Sequence, residues 1–124
     1  MSPLPPKGSM DPIQDLRNKL RQFAAERDWD QFHSPKNLAM ALSVEAAELL
    51  EHFQWLSDAE SAALAPEKRA KIGEELADVL LYLIRLADKL DIDLATAAKD
   101  KINVNASKYP TRKARGSNKK YTDL

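Results

Sequence analysis

Four prolines divide this sequence into helical segments and leave little room for strands. Asp11-Pro12 and Ser34-Pro35 each place an N-cap residue before a proline at the first helical position, where the missing N–H costs nothing. Pro66 opens a further long segment, and Pro110 ends the last one. The predicted long helices therefore span roughly residues 11–27, 35–56, 66–90 and 93–108, with a short helical turn capped by Ser57 and Glu60 between the second and the third.

The composition favours an all-α fold, because the chain has only three glycines, much alanine and leucine, and few β-branched residues. We expect a four-helix bundle with one short extra helical turn. Residues 1–10 end in Gly-Ser-Met, which is typical of an expression tag or a disordered leader. Residues 11–110 form the predicted domain, and residues 111–124 form a basic tail that we expect to be disordered or to fold over a partner.

Charge and cysteine content exclude several classes of function. The 19 basic and 19 acidic residues cancel, so no overall field would recruit nucleic acid or a membrane surface. The absence of cysteine excludes a disulfide scaffold, a thiolate zinc site and a cysteine nucleophile, and it favours the cytoplasm. No apolar segment approaches the roughly 20 residues that a membrane-spanning helix needs.

A carboxylate interrupts the apolar stripe of the second helix. On a helical wheel, Glu45 falls among the leucines of that stripe and Glu48 lies at its edge. The third helix has a matching pair, Glu75 and Asp78, beside its own stripe. Both pairs are spaced i, i+3, so their members repel unless a cation lies between them. Oxygen donors without cysteine suit Mg²⁺ or Mn²⁺.

Other interpretations of these acids stay open at this point. A di-iron bundle would need Glu-x-x-His pairs on two helices, and His52 has no counterpart on the third helix. A solvated charged face, with local ion pairs, is the ordinary reading of Glu51 and Glu74. It does not explain why Glu45 lies among leucines.

Several motifs together resemble one known family. These are FAAERDWDQFHSPKNL at 23–38, EAAELLEHFQW at 45–55, EELADVLLYL at 74–83, KINVNASKYP at 101–110 and the ending KKYTDL. The sequence resembles the MazG-like all-α nucleoside triphosphate pyrophosphatases, and within them the dCTP pyrophosphatase branch and integron-associated relatives. One departure is Val44, where many members have an additional glutamate.

The resemblance implies a fold, a reaction and a cofactor. The fold would be a four-helix MazG-like bundle, and the reaction would be hydrolysis of a nucleoside triphosphate between its α- and β-phosphates, which cleanses the nucleotide pool. dCTP or a 5-modified dCTP is the first candidate substrate. Mg²⁺, with Mn²⁺ as a substitute, would be held by four residues that are also catalytic: Glu45, Glu48, Glu75 and Asp78. Glu48 is better placed than Glu45 to act as a base, and the assignment stays open.

The resemblance also assigns substrate-binding residues. The segment from Trp29 to His33 and the distant Trp55 would line the base pocket, Tyr82 would contact the sugar, and Lys101 and Asn105 would meet the phosphates. Without the resemblance, the tryptophans would be core residues and the lysine would extend into solvent. The full predicted set is Trp29, Asp30, Gln31, Phe32, His33, Trp55, Tyr82, Lys101, Asn105 and Tyr109.

A second apolar strip on the third helix, made of Ala77, Leu81 and Ile84, faces away from the first. A helix that is apolar on two sides is buried on two sides, and in a short chain we expect the second side to pack against another subunit. The resemblance implies a dimer of dimers with sites near the subunit interface. The competing hypothesis is a non-catalytic helical interaction module whose acids are solvated.

Overall fold

The computed structural model describes residues 11–124. The predicted tag or leader, residues 1–10, lies outside the described residues. The chain divides into two units, Met1–Ile92 and Asp93–Leu124. The described residues contain helices, 3-10 turns and connecting segments but no strand, which confirms the all-α prediction.

Helix α1 spans Pro12–Glu26 and begins at the predicted cap. The Asp11 carboxylate accepts a hydrogen bond from the Gln14 amide at 2.9 Å, which satisfies one of the free N–H groups of the first turn. The chain leaves the helix through Asp28, whose φ of 54° lies in the left-handed region that aspartate tolerates. A 3-10 turn at Asp30–Phe32 then leads to the next helix.

Helix α2 spans Pro35–Glu51 and ends five residues before the predicted boundary at Leu56. Its start is as predicted, with Ser34 Oγ accepting from the Asn37 amide at 3.1 Å. The early end has a local cause. Ser57 caps the short helix α3, Asp58–Ala62, through a complete capping box, and a capping residue needs an extended backbone. The chain must therefore leave α2 before it reaches Ser57.

Helix α4 spans Pro66–Lys89 and packs against both α2 and α1. The buried apolar side chains of the described residues come from these three helices: Ala24, Leu38, Ile72, Ile84 and Ala87. Leu38 and Ile84 are the largest that are fully buried. The core is thus small, and it lies where α4 meets its two neighbours.

The expectation that the Ala77, Leu81 and Ile84 strip faces another subunit is wrong for Ile84. Ile84 is buried within its own chain, and Leu81 lines a cavity between α4 and α1. Periodicity showed that this side of α4 is apolar but did not identify the helix that covers it. The large apolar residues of α4 that remain exposed are Leu76, Leu80 and Leu83, and Leu90 just after the helix is also exposed.

The second unit begins with helix α5, Leu94–Lys108, which is capped by Asp93. The expected disorder of residues 111–124 is not what the structure has. Helix α6 spans Thr111–Ala114, and a 3-10 turn follows at Tyr121–Asp123. The Tyr121 ring meets the Tyr109 ring edge-on at 6.0 Å and lies under the Lys108 ammonium at 4.8 Å. These contacts return the tail to the end of α5. Within the described residues, no helix is long and apolar enough to cross a membrane.

Candidate active site

Three of the four predicted cation ligands come together between α2 and α4. Glu45 and Glu48 from α2 and Glu75 from α4 each offer an oxygen, and these oxygens lie within 4.8 Å of one another. The Oε2 atoms of Glu45 and Glu75 are buried and have no hydrogen-bond partner among the described residues. Buried polar atoms are nearly always paired in folded proteins. We therefore expect a hydrogen-bond donor or a cation to bind this acid cluster of Glu45, Glu48 and Glu75.

Helix geometry explains why these acids meet. Glu45 lies seven residues after buried Leu38, so both occupy the same face of α2 after two turns. Glu75 lies three residues after buried Ile72 on α4. Each acid therefore follows a core anchor on a helix that packs against the other. The core fixes the register of the two helices, and the register brings the carboxylates together.

Electrostatics at the cluster disfavour a full set of negative charges. The pKa of Glu45 is raised from 4.5 to about 7, chiefly because burial penalises its charged form and then because Glu75 and Glu48 lie beside it. Like charges that share a site are accommodated either by a retained proton or by a bound cation.

The residues present fit a hard divalent cation. All three contributing groups are carboxylates, and two of their buried oxygens have no donor within residues 11–124. Oxygen-only sites are typical of Mg²⁺ and Mn²⁺, and Mg²⁺ binds through a few carboxylates while it keeps positions for water and phosphate. Glu51, the other acid of α2, is exposed and lies outside the cluster.

Asp78, the fourth predicted ligand, lies outside this 4.8 Å group. It follows Glu75 by one turn of α4, is exposed, and lines the neighbouring cavity. Its charge still contributes to the raised pKa of Glu45. Asp78 thus lies between the acid cluster and the cavity.

The cavity between α1 and α4 has a volume of about 430 Å³, which is within the range of small-molecule sites. We call it the α1–α4 cavity. Three predicted substrate-binding residues, Trp29, His33 and Tyr82, line it together with Asp78. Its remaining lining residues are Leu16, Lys19, Leu20, Phe23, Ala24, Leu81 and Arg85. An apolar surface with a few polar groups on one side suits a planar ring.

The predicted segment 29–33 contributes its two ends to this cavity but not its middle. Trp29 meets Phe23 edge-on at 5.6 Å and His33 at 6.3 Å between ring centroids. Asp30 instead binds Arg85 and Lys89. Gln31 donates to the carbonyl and carboxylate of Asp28 at 3.1 Å each.

Two further predicted substrate-binding residues of the first unit, Phe32 and Trp55, lie away from the cavity. Phe32 is 60% exposed and Trp55 is 86% exposed, and neither lines it. Lys101, Asn105 and Tyr109 belong to the second unit, where all three are exposed.

Sequence reasoning missed Arg85, which is 5% exposed and lines the cavity. It donates from Nε to His33 Nδ1 at 3.2 Å and from Nη2 to the Asp30 carboxylate. A signal was present, because this arginine interrupts the apolar run of residues 79–86. A charged residue inside a buried run usually has a specific partner.

Known proteins are similar to this chain in sequence and in fold. The fold and the site define a class: an all-α protein whose carboxylates, on two packed helices, lie beside an apolar cavity. A model described as "MazG-like family" matches residues 40–124. This chain belongs to the MazG-like family.

Relatives of known name cover most of the chain. It is 50% identical over 114 residues to dCTP pyrophosphatase 1 of Rattus norvegicus and 46% identical to that of Homo sapiens, in both cases over 90% of this chain and 67% of the relative. Among solved structures, a pyrophosphatase from Archaeoglobus fulgidus aligns with a TM-score of 0.77 and 41% identity. That alignment covers 82% of this chain and 95% of the other.

Proposed function

We propose that this chain hydrolyses dCTP, or a 5-modified dCTP, to the nucleoside monophosphate and pyrophosphate with Mg²⁺ as cofactor. The observation that carries the proposal is the acid cluster beside the α1–α4 cavity, with unpaired buried oxygens on Glu45 and Glu75. Its physiological role is the cleansing of the nucleotide pool, and its proposed compartment is the cytoplasm.

The enzyme class has independent support. Family membership and four relatives named dCTP pyrophosphatase 1, at 46% to 50% identity, confirm the prediction of a nucleoside triphosphate diphosphatase. The choice of cytosine among the bases is the finer part of the proposal. It draws on the names of those relatives and on the size and lining of the cavity.

In the proposed mechanism, Glu45, Glu48, Glu75 and Asp78 would hold the cation, and Asp78 also lines the substrate cavity. A bound divalent ion would neutralise the triphosphate, stabilise charge on the leaving pyrophosphate and lower the pKa of an attacking water. Glu45, Glu48 and Glu75 would supply oxygens from the acid cluster, and Asp78 would add one from the cavity side. Since the acids are fixed by two packed helices, they are organised before the substrate arrives, which reduces the cost of reorganisation in the transition state.

The nucleoside is proposed to occupy the α1–α4 cavity. Trp29 and His33 offer ring faces and edges to a base, and stacking on an aromatic side chain is worth about 1 to 3 kcal/mol per base. Tyr82, one turn after Asp78 on α4, is placed to meet the sugar between the base and the phosphates. Lys101, Asn105 and Tyr109 of the second unit remain proposed phosphate contacts.

We infer a homotetramer, arranged as a dimer of dimers. The exposed apolar residues of α4, Leu76, Leu80 and Leu83, recur at i, i+4 and i+7 and so share one face of the helix. Met40 and Val44 form a similar exposed pair on α2. Trp55, which does not line the cavity of its own chain, is available to the site of a neighbouring subunit. Light scattering at micromolar concentration tests this, and a monomer would contradict it.

A panel of dNTPs and 5-modified dNTPs, incubated with Mg²⁺ and resolved by chromatography, tests the function. We expect pyrophosphate rather than orthophosphate, and the highest kcat/KM with cytosine nucleotides. Glu48→Gln should lower kcat by about 100-fold, equivalent to about 2.7 kcal/mol of lost transition-state stabilisation. Glu51→Gln, on an exposed residue of the same helix, is the matched control and should retain activity. Abundant turnover by Glu48→Gln would contradict the mechanism.

A further inference from the structure

Arg85 is a buried cation at the wall of the α1–α4 cavity. Its side chain is 6% exposed, and it lies on α4 next to the buried Ile84. Burying a guanidinium is costly unless its donors are used. The contacts of the Arg85 guanidinium therefore indicate its role at the cavity wall.

Both ends of the guanidinium are held by acids that are themselves held by other cations. Nη2 of Arg85 binds Asp30, which also accepts from Lys89 Nζ at 3.0 Å. Nη1 lies 3.6 Å from Asp88, which accepts from Arg21 Nε at 2.8 Å and Nη2 at 2.5 Å. This charge network ties α1, the 3-10 turn and α4 together. It leaves the Arg85 side chain little freedom to rotate.

The Nε–H donor of Arg85 determines which nitrogen of His33 carries the proton. Arg85 Nε lies 3.2 Å from His33 Nδ1. Arginine keeps its protons at every accessible pH and cannot accept a hydrogen bond. Nδ1 must therefore be the acceptor, and in the neutral ring the proton belongs to Nε2.

The electrostatic surroundings favour that neutral ring. The pKa of His33 is lowered, mainly by burial and then by the charge of Arg85, although Asp30 acts in the opposite direction. Nε2 lies across the ring from Nδ1 and makes no hydrogen bond with another described residue. Because His33 lines the cavity, its remaining donor is available to a ligand there.

We propose that Arg85 is a positioning residue that locks His33 as the Nε2–H tautomer, so that the cavity presents a fixed hydrogen-bond donor to an acceptor atom of the bound nucleoside. The inference rests on the proposed function for the identity of that ligand. A site built around a fixed donor discriminates against ligands that lack an acceptor there, because the donor would be left unpaired. Cytosine has two such acceptors, its ring N3 and its carbonyl oxygen. Arg85 thus contributes to base selection through His33.

The first test is ¹⁵N NMR of the histidine side chains in the intact protein at mildly alkaline pH. His33 should show one protonated Nε2 and one unprotonated Nδ1, with well-separated shifts, and His52→Gln assigns the signals by removing the other histidine. Arg85→Met keeps the side-chain length but removes the donor, and we expect the two tautomers to mix. A protonated Nδ1 in the wild type would overturn the proposal, and this measurement needs no enzymatic activity.

The second test is kinetic. Arg85→Met should raise KM for dCTP by about tenfold while kcat changes less, since the loss concerns binding of the base rather than the reacting phosphates. Arg69→Met, an exposed arginine on the same helix, is the matched control. Arg85→Lys keeps a charge for Asp30 and Asp88, and recovery of folding without recovery of KM supports the role of Nε. Equal KM values for Arg85→Met and Arg69→Met would overturn the proposal.

Failure of the inference is distinguishable from failure of the proposed function. If no nucleotide is hydrolysed while NMR finds the Nε2–H tautomer and its loss in Arg85→Met, the positioning of His33 stands. If dCTP is hydrolysed and the wild-type ring carries its proton on Nδ1, the function stands and the inference is wrong.

Discussion

Replacing Glu45 by glutamine should stabilise the protein when no divalent cation is bound. The amide has nearly the same shape as the carboxyl group but no charge. It removes a carboxylate whose Oε2 is buried without a partner and whose neighbours Glu48 and Glu75 are also acidic. It also brings an N–H₂ donor to a cluster in which Glu75 Oε2 is equally unpaired.

The magnitude follows from the raised pKa of Glu45. A carboxyl group with a pKa of about 7 in the folded protein, against 4.5 in its ordinary state, ionises more readily when the chain is unfolded. Its contribution to stability is therefore complete below pH 4.5 and is lost as the pH rises through 7. The difference corresponds to about 3 kcal/mol for a fully shielded group. Since Glu45 is partly exposed, solvent screening reduces the expected gain to about 1 kcal/mol.

Thermal unfolding in the presence of a chelator measures this gain. Above pH 7, Glu45→Gln should melt about 3 to 6 °C higher than the wild type, and below pH 4.5 the two should coincide. Glu51→Gln is the control and should show no such dependence on pH. Protein concentration is kept equal because oligomerisation affects melting temperature. A Glu45→Gln variant no more stable than the wild type above pH 7 would refute the argument from repulsion.

Three further predictions concern the core, the cavity and the cation. Leu38→Ala should lower the free energy of unfolding by about 2 to 5 kcal/mol in urea denaturation, whereas Met40→Ala, at an exposed position of the same helix, should change it by less than about 1. Trp29→Ala should raise KM for dCTP by about 5- to 150-fold, equivalent to the loss of about 1 to 3 kcal/mol of stacking. An unchanged KM would show that the base does not bind in the α1–α4 cavity. Removal of divalent cations should abolish pyrophosphate release and lower the wild-type melting temperature above pH 7. The decrease in melting temperature should be smaller in Glu45→Gln. An equal decrease in both proteins would show that the cation does not bind at the acid cluster.

Helix starts were predictable because their determinants are local. Asp11, Ser34 and Ser57 each accept from a backbone amide three residues later, so each cap is contained within four consecutive residues. The end of α2 was harder to predict. Leu49 and Leu56 are seven residues apart, so the apolar period continues on the wheel after the hydrogen-bonded helix has ended at Glu51. Periodicity detects a face, and it does not detect a change of backbone conformation.

The parts of the site that depend on tertiary contacts were less predictable. The acid pairs could be identified from i, i+3 spacing, and their convergence follows once α2 and α4 pack. Arg85 could not be placed in the same way, since Asp30 lies 55 residues away and His33 lies 52 residues away in sequence. An internal arginine signals that a partner exists but does not identify it.

Four polar residues of α4 follow an order that constrains how a nucleotide would lie. Glu75, Asp78, Tyr82 and Arg85 are spaced by three, four and three residues, so they form one stripe along the helix. At 1.5 Å per residue the stripe is about 15 Å long. The acid cluster is at its start, and the contact with His33 is at its end. Under the proposed function, the triphosphate must therefore point toward the beginning of α4 and the base toward its end. Tyr82 lies between them, at the level of the sugar.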